Sequence, residues 1–285
     1  MSNQEIIKRF DDCAKDYLEK YYGDKVLNHQ GYPQAVIRRQ YLFEMLTTKS
    51  GNVLDIGCGV GNIAYDFYLL GFRVWGIDIS SKMVEEARKK IPAETQIMVE
   101  RLKDRIAGDS VKTGAVKAII PEKEPRVEPS LFFDCADFLE KEYPNDFFDC
   151  VIALGFIEYV DSPELVIEKI SRIAKSGGEV FITVPLNSCI YKKIKKPKKE
   201  QDSGNFAYHY FSYKKLDELC GKYGLIKKDF HFFHFFIIPP FIDKILNKII
   251  GADKVIIFNQ RFERWSRRVS SRFLAGGYLI KAVKK

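Results

Sequence analysis

No apolar run in this chain is long enough to cross a bilayer, so no membrane-spanning helix is expected. Residues Met1 to Glu5 lack the basic and apolar regions of a secretory leader, and a cytoplasmic location follows as the expectation. Paired cysteines are missing as well. Cys13, Cys58, Cys135, Cys150, Cys189 and Cys220 form no CxxC motif and fall mostly in expected strands and helices, as reduced buried thiols do. Histidine is scarce, with 4 in the chain, and no histidine–carboxylate spacing suggests a metal site, so no metal is expected. His231 and His234 lie three apart in an aromatic strand and point to opposite faces. His29 lies in a glycine-containing connection and carries no assignment. There is no internal repeat.

What is present suits one enlarged domain. With 285 residues, 46% of them hydrophobic, the chain can bury a full core without dividing, and residues 1–285 are read as a single unit. The net charge of +8 comes largely from lysine amid abundant Phe, Ile and Tyr, and taken alone it identifies no partner.

The densest signal begins at Val53. Val53, Leu54 and Ile56 read as a short buried strand of a parallel sheet. Gly57, Gly59 and Gly61 follow, letting the backbone turn tightly and approach a ligand before a helix begins, with that helix's free N–H groups facing the ligand. A second apolar run, Arg73 to Ile77, ends at Asp78, twenty-one residues after Gly57. A carboxylate there can accept hydrogen bonds from both hydroxyls of a ribose, so an adenosine-containing cofactor is expected. Two chemistries use such a loop. The dinucleotide fingerprint needs glycine at the sixth position of GxGxxG, where this chain has Asn62. S-adenosylmethionine has no pyrophosphate but carries an ammonium and a sulfonium, which suits the acid at Asp55 and favours it as the cofactor.

On these residues the chain resembles the class I S-adenosylmethionine-dependent methyltransferases, and within them the small-molecule branch typified by ubiquinone biosynthesis. Asp55-Ile56-Gly57-Cys58-Gly59-Val60-Gly61 looks like the family's first motif, and Gly76-Ile77-Asp78-Ile79-Ser80 like its second. Cys135-Ala136-Asp137-Phe138 resembles the segment whose acid reaches the adenine amine. The run from Phe148 through Leu154 and Gly155 to Tyr159 resembles the fourth strand and its turn, and Ser176 to Ile182 the turn into the fifth. Tyr159 departs from the histidine that many relatives carry after the glutamate, so no catalytic role is carried over to it. The resemblance implies cofactor contacts from Asp55, Gly57, Cys58, Gly59 and Gly61, from Asp78 and Ile79, and from Asp137, Phe138, Leu154 and Gly155. It also implies that Arg38 pairs with the methionine carboxylate, with adjacent Arg39 competing for the role. Tyr17 and Tyr22 either cover the cofactor or pack in the core.

The implied fold is α/β: a Rossmann-like, seven-stranded, mostly parallel sheet with helices on both faces, one antiparallel strand and helical insertions. Strands are expected near 52–56, 73–77, 131–135, 148–153, 178–184, 225–236 and 274–283. Residues 1–50 form a helical cap, with helices over 3–22 and 33–48 that cover the cofactor. Residues 51–190 form the core, interrupted at 92–130, and residues 191–285 supply the acceptor side. The 92–130 insertion reads as a surface excursion or as a substrate-contacting flap; Glu94 to Ile106 suits a helix, and the proline-rich run Pro121 to Pro129 does not. The lysine cluster Tyr191 to Lys199 suits an anionic acceptor, an anionic membrane surface, or a solvated charge run. In the 239–272 insertion, Phe241, Ile242, Ile245, Leu246, Ile249 and Ile250 share a helical face, and Val255, Phe258, Phe262, Trp265 and Val269 line a second among arginines. Such faces pack on the domain, shape an apolar acceptor pocket, or touch a membrane.

The implied activity is methyl transfer to a small-molecule acceptor at oxygen or nitrogen, with an apolar or lipid-like metabolite as one class. His209, bordering the acceptor site in Tyr208-His209-Tyr210, is the candidate base; packing before the helix capped by Ser212 is its other reading. No nucleic-acid partner is expected, since Ala153-Leu154-Gly155-Phe156 lacks the Asn/Asp-Pro-Pro-aromatic motif of base N-methylases. A nucleic-acid or protein methyltransferase, and a noncatalytic cofactor-binding relative, are the alternatives. The oligomeric state is not legible.

Overall fold

Strand β1 (Asn52–Ile56) holds Val53, Leu54 and Ile56 wholly out of solvent, so it is covered on both faces, as an inner strand of a parallel sheet must be. The computed structural model describes residues 3–17, 34–89, 130–186, 211–235 and 275–285, together with Ile245, Ile249, Ile250, Lys254, Arg261 and Trp265. Around β1 run α1 (Asn3–Cys13), α2 (Gln34–Met45), α3 (Asn62–Leu69), β2 (Arg73–Asp78) and α4 (Ser81–Lys89). Then come β3 (Ser130–Cys135), β4 (Phe148–Ala153), a 3-10 turn (Ile157–Tyr159), α5 (Pro163–Ile173), β5 (Ala174–Pro185), α6 (Tyr213–Lys222), β6 (Leu225–Phe235) and β7 (Ala275–Lys284).

The seven strands form one sheet in the order β3-β2-β1-β4-β5-β7-β6. Five run parallel from β3 to β5, and β7 alone is reversed, antiparallel to β5 on one side and to β6 on the other. All seven expected strands are present, with the single antiparallel strand. Pairing of Pro185 with Gly277 and of Phe235 with Ala275 puts the end of β6 and the start of β7 at the carboxyl edge of the parallel strands.

Alternation along each strand sorts the core into two layers. Val53, Cys150, Ile152, Phe181 and Leu279 face one cluster with Ile37 and Leu42 of α2 and Ala64 and Phe67 of α3. Leu54, Val151, Ala153, Val180 and Ile182 face the other, against Val166, Ile170 and Ile173 of α5 and Leu216 and Leu219 of α6. Helices therefore cover both faces, as the sequence implied.

Lys281 of β7 is buried, and its Nζ donates to the Met45 carbonyl (2.7 Å) and Thr47 Oγ1 (3.0 Å) while pairing with Glu179. Glu179 also accepts from the Thr47 and Thr48 backbone N–H groups (3.1 and 3.0 Å). Burial alone would raise the Glu179 carboxyl; the hydrogen bonds from Lys281, Thr47 and Thr48 outweigh it and hold the group below its usual range. This clamp fixes the end of α2 on the sheet, and removing one partner would strand a buried charge at a cost of about 3–5 kcal/mol.

Of the expected helix over 3–22, Asn3–Cys13 is observed, and residues 18–22 lie outside the described residues. After Cys13 the chain tightens, with Ala14 N–H bonded to Asp11 O and Tyr17 N–H to Ala14 O, which seats Ala14 against Val60 and Met83. The second expected helix, 33–48, is observed as Gln34–Met45. Cys58, Cys150 and Cys220 are buried free thiols, as expected; Cys13 is half-buried, and Cys135, at the end of edge strand β3, is exposed. No described helix is long and apolar enough to cross a membrane. The 92–129 part of the first insertion, the lysine cluster and most of 239–272 lie outside the described residues.

Candidate functional site

The bend after β1 is pinned to β2: the N–H groups of Gly57 and Cys58 both donate to the Ile77 carbonyl, at 2.8 and 3.1 Å. Gly59 then adopts φ +54°, a left-handed conformation costly for a side chain with Cβ, and its N–H donates to Asp78 Oδ2 (2.8 Å). Ser80 N–H donates to Asp78 Oδ1 (2.9 Å), so both oxygens of this carboxylate are oriented by backbone. Burial raises the Asp78 carboxyl above its usual range, opposed by those two N–H donors. A Cβ on Gly59 would meet nothing closer than Tyr17 Cε1, at 3.9 Å, so the backbone here faces open space.

That space is a cavity of about 270 Å³ along the carboxyl edge of the sheet. Loops after four parallel strands converge on it: Gly57, Cys58 and Gly59 after β1, Ile79 after β2, Asp137 and Phe138 after β3, Leu154 and Gly155 at β4. Asp55 and Asp78 line it from the strands themselves, and Arg38 from α2. Gly61 precedes α3 and is not among the described residues that line the cavity; a Cβ there would fall 2.7 Å from Phe133, so close packing requires glycine at this position. Tyr22 and His209 lie outside the described residues.

Asp55 is 3% exposed and, among the described residues, its Oδ2 has no hydrogen-bond partner. Burial first, and then the charge of Asp78, push its carboxyl up to about 8, against the Ala64 backbone and Arg38. Asn62, at the first turn of α3, likewise has a buried Oδ1 without a partner. Glu158, in the 3-10 turn, is pushed up to about 7 by burial, with its own backbone and Arg38 opposing, and its Oε2 is also unpartnered. Burial, then Asp78 and Asp55, raise the Cys58 thiol well above its usual value, so it is a neutral wall of the cavity.

Packing gives the two arginines different surroundings. Arg39 makes a bidentate ion pair with buried Asp66 of α3, its Nη2 at 2.6 Å from Oδ1. Arg38 instead lies on Gly155, where a Cβ would fall 2.3 Å from its Nη1, and its charge acts on both Asp55 and Glu158. Gly155 is thus a position that close approach requires, and its N–H is held by Thr183 Oγ1 (2.7 Å).

Helix α1 closes the cavity from above. Asn3 Nδ2 donates to Asp137 Oδ2 (2.9 Å), while Leu139 N–H occupies Oδ1 (2.8 Å). Ser80 Oγ donates to Asp11 Oδ1 (2.5 Å), tying α1 to the start of α4. Phe10 packs edge-on against Tyr159, with ring centroids 5.4 Å apart and the Arg9 guanidinium over both rings. Tyr17 and Tyr159 line the cavity too. Asn3, Phe10, Phe156 and Glu158 were not singled out from sequence as site residues, and Asn62 only as the residue that breaks the dinucleotide fingerprint; that a first helix covers the cofactor was implied by the resemblance, without the residues that do so.

The donor set fits S-adenosylmethionine. The unpartnered acceptors of Asp55 and Asn62 suit an ammonium, Arg38 suits a carboxylate, Asp78 a diol, and Asp137 an exocyclic amine. A pyrophosphate would instead confront the Asp55 carboxyl. Fold and cavity together define a class I S-adenosylmethionine-dependent methyltransferase. The chain belongs to the family described as methyltransferase domain, whose model matches residues 28–226. It is similar to phosphatidylethanolamine N-methyltransferase of Cereibacter sphaeroides, 26% identical over 137 residues that make up 48% of this chain and 52% of that one. It is also similar to ubiquinone biosynthesis O-methyltransferase of Coxiella burnetii, 23% identical over 181 residues, 64% of this chain and 62% of the relative. The chain thus spans about half to three-fifths of the length of these curated relatives. Among solved structures, magnesium protoporphyrin IX methyltransferase from Synechocystis PCC 6803 shares the fold over 100% of both chains, with a TM-score of 0.57 and 16% identity.

Proposed function

We propose that this protein transfers the methyl group of S-adenosylmethionine to an oxygen or nitrogen of a small, apolar or lipid-like acceptor. One observation carries the reading: Asp55, Arg38, Asp78 and Asp137 surround one cavity whose floor, at Gly59, is open backbone. The names of two relatives, one for phosphatidylethanolamine and one for ubiquinone biosynthesis, support an apolar acceptor. Contact with a membrane through 239–272 belongs to the same reading, since an apolar acceptor partitions there.

S-adenosylmethionine, when bound, supplies a methyl already activated by its sulfonium. Asp55 and Asn62 would receive its ammonium, Arg38 its carboxylate, Asp78 the ribose hydroxyls and Asp137 the adenine amine. Phe10, Tyr17 and Tyr159 exclude water from the cavity wall, so that the acceptor meets few competing nucleophiles. His209 takes the proton of a hydroxyl acceptor at its ring nitrogen; an amine acceptor makes less demand on it. In the sequence His209 stands two residues before Phe211, which bridges to Leu186 just after β5.

Calorimetry with S-adenosylhomocysteine tests the cofactor. Methyl release from labelled S-adenosylmethionine, with quinol and phospholipid-amine acceptors, tests the transfer. His209→Ala is expected to lower kcat about 100-fold with cofactor affinity unchanged, on the scale of general base catalysis. An unaltered kcat removes His209 from the chemistry.

A further inference from the structure

We propose that Lys169 of α5 is a positioning residue for the base end of the cavity, fixing the turn over 137–141 so that the cavity takes adenine in preference to hypoxanthine. The inference rests on the methyltransferase reading above and deepens it, from the groups that meet the cofactor to what holds one of them in place. Ala136, Asp137, Phe138 and Leu139 line the cavity, whereas Lys169 is not among its lining residues and reaches it only through them.

The turn is one helical turn held at both ends. Asp137 starts it: its backbone carbonyl accepts from the N–H groups of Glu140 (3.2 Å) and Lys141 (3.0 Å), and its Oδ1 from the Leu139 N–H (2.8 Å). Such a turn leaves carbonyls without partners at its far end. Lys169 Nζ donates to two of them, Leu139 O at 2.9 Å and Lys141 O at 2.6 Å, and carbonyl dipoles favour a cation there. The acid proposed for the adenine amine and the Lys169 ammonium therefore cap opposite ends of the same turn. That ammonium also lies 5.1 Å from the centre of the Phe138 ring, which is buried in the cavity wall and packs edge-on against Phe156 at 6.1 Å.

Lys169 is 6% exposed, on the face of α5 that Val166, Ile170 and Ile173 make apolar. Packing alone would be served at lower cost by another apolar side chain. Burial lowers the Lys169 ammonium below its usual range; Glu142 opposes this, Arg172 adds to it, and Asp137 opposes it in turn, so the acid and the cation act on each other across the turn. Two other side-chain ties, Lys141 to Asp134 (3.1 Å) and Asn3 to Asp137 Oδ2 (2.9 Å), are exposed and hold less firmly. In hypoxanthine a carbonyl oxygen replaces the adenine amine, and it would confront the Asp137 carboxylate. A rigid turn keeps the two oxygens opposed and rejects that base; a loose one swings aside and tolerates it.

The test is calorimetry on the intact protein with S-adenosylhomocysteine and with S-inosylhomocysteine, which carries hypoxanthine. The native protein is expected to prefer the adenine compound about 30-fold, the scale of one hydrogen bond to a charged group. Lys169→Met, which keeps the buried stem and removes the ammonium, should weaken S-adenosylhomocysteine about tenfold and shrink the preference to about threefold. Lys169→Arg, which keeps the charge and the donors, should retain most of it. A residue that only stabilised the fold would lower both affinities alike and leave the preference where it was. Urea unfolding shows whether the methionine variant folds; if it does not, Lys169→Gln, uncharged with one amide donor group, carries the same comparison and should fall between Met and native. A native-sized preference in the uncharged variant overturns the proposal. Absence of any preference in the native protein also overturns it and leaves cofactor binding standing. A native protein that binds neither compound removes the methyltransferase reading, and this inference with it.

Discussion

Replacing Asp78 by alanine removes a carboxylate whose two oxygens are each held by one backbone N–H, from Gly59 at 2.8 Å and from Ser80 at 2.9 Å. Each carboxylate oxygen accepts about two hydrogen bonds, so one position per oxygen is left for a ribose hydroxyl. Hydrogen bonds to a charged group are worth about 1.5–3 kcal/mol each. Part of that is offset, because burial already raises the Asp78 carboxyl and weakens its hold on the charge. A net loss of about 2 kcal/mol follows, or about 30-fold weaker binding of S-adenosylhomocysteine by calorimetry. The substitution also frees two N–H groups of the loop, so urea unfolding should show a separate loss of about 1 kcal/mol or more. Asp78→Asn, which keeps one acceptor oxygen, should fall between native and alanine in affinity. The reasoning is refuted if Asp78→Ala loses stability yet binds within about threefold of native, for then Asp78 only anchors the loop.

Two further outcomes follow from the same site. Asp55, raised to about 8, is largely protonated at pH 6 to 7 in the ligand-free protein; the cofactor ammonium favours its ionised form. Binding should therefore release a proton below pH 8, in an amount that shrinks above it. Calorimetry in buffers of different ionisation enthalpy measures this, and Asp55→Asn should abolish the release; release persisting in that variant refutes the assignment. Arg38→Ala and Arg39→Ala should separate cleanly. The first weakens S-adenosylhomocysteine with little loss of stability, while the second leaves Asp66 buried and unpaired and costs about 3 kcal/mol in urea unfolding with affinity kept. Equal effects on affinity would undo the distinction.

The sheet was legible in the sequence because its strands are short, apolar and bounded by glycine and acid; β1, β2 and β4 could be located almost to the residue. The cavity's acids were legible for a related reason, since each stands at or just beyond the carboxyl end of a strand that periodicity reveals. Resemblance alone puts Arg38 ahead of Arg39, because neighbours on a helix differ only by about 100° of rotation and the partner that occupies Arg39, Asp66, is supplied by tertiary packing. Asn3 and Phe10 were out of reach for the same reason: α1 reaches the site from the far end of the chain. Gly61 shows the converse, a motif residue whose spacing suggests the ligand and whose surroundings, Phe133 and Ala87, show packing.

Because β7 alone is reversed, the chain's last excursion begins and ends on directly opposed residues, Phe235 and Ala275. A loop closed at its base by a strand pair can change length at an entropic cost that grows only logarithmically, leaving the register beneath it intact. The stretch between them is thus an exchangeable cassette. A graft at these two residues is the natural junction for moving the stretch from one scaffold to another, and such a graft tests whether acceptor choice travels with it.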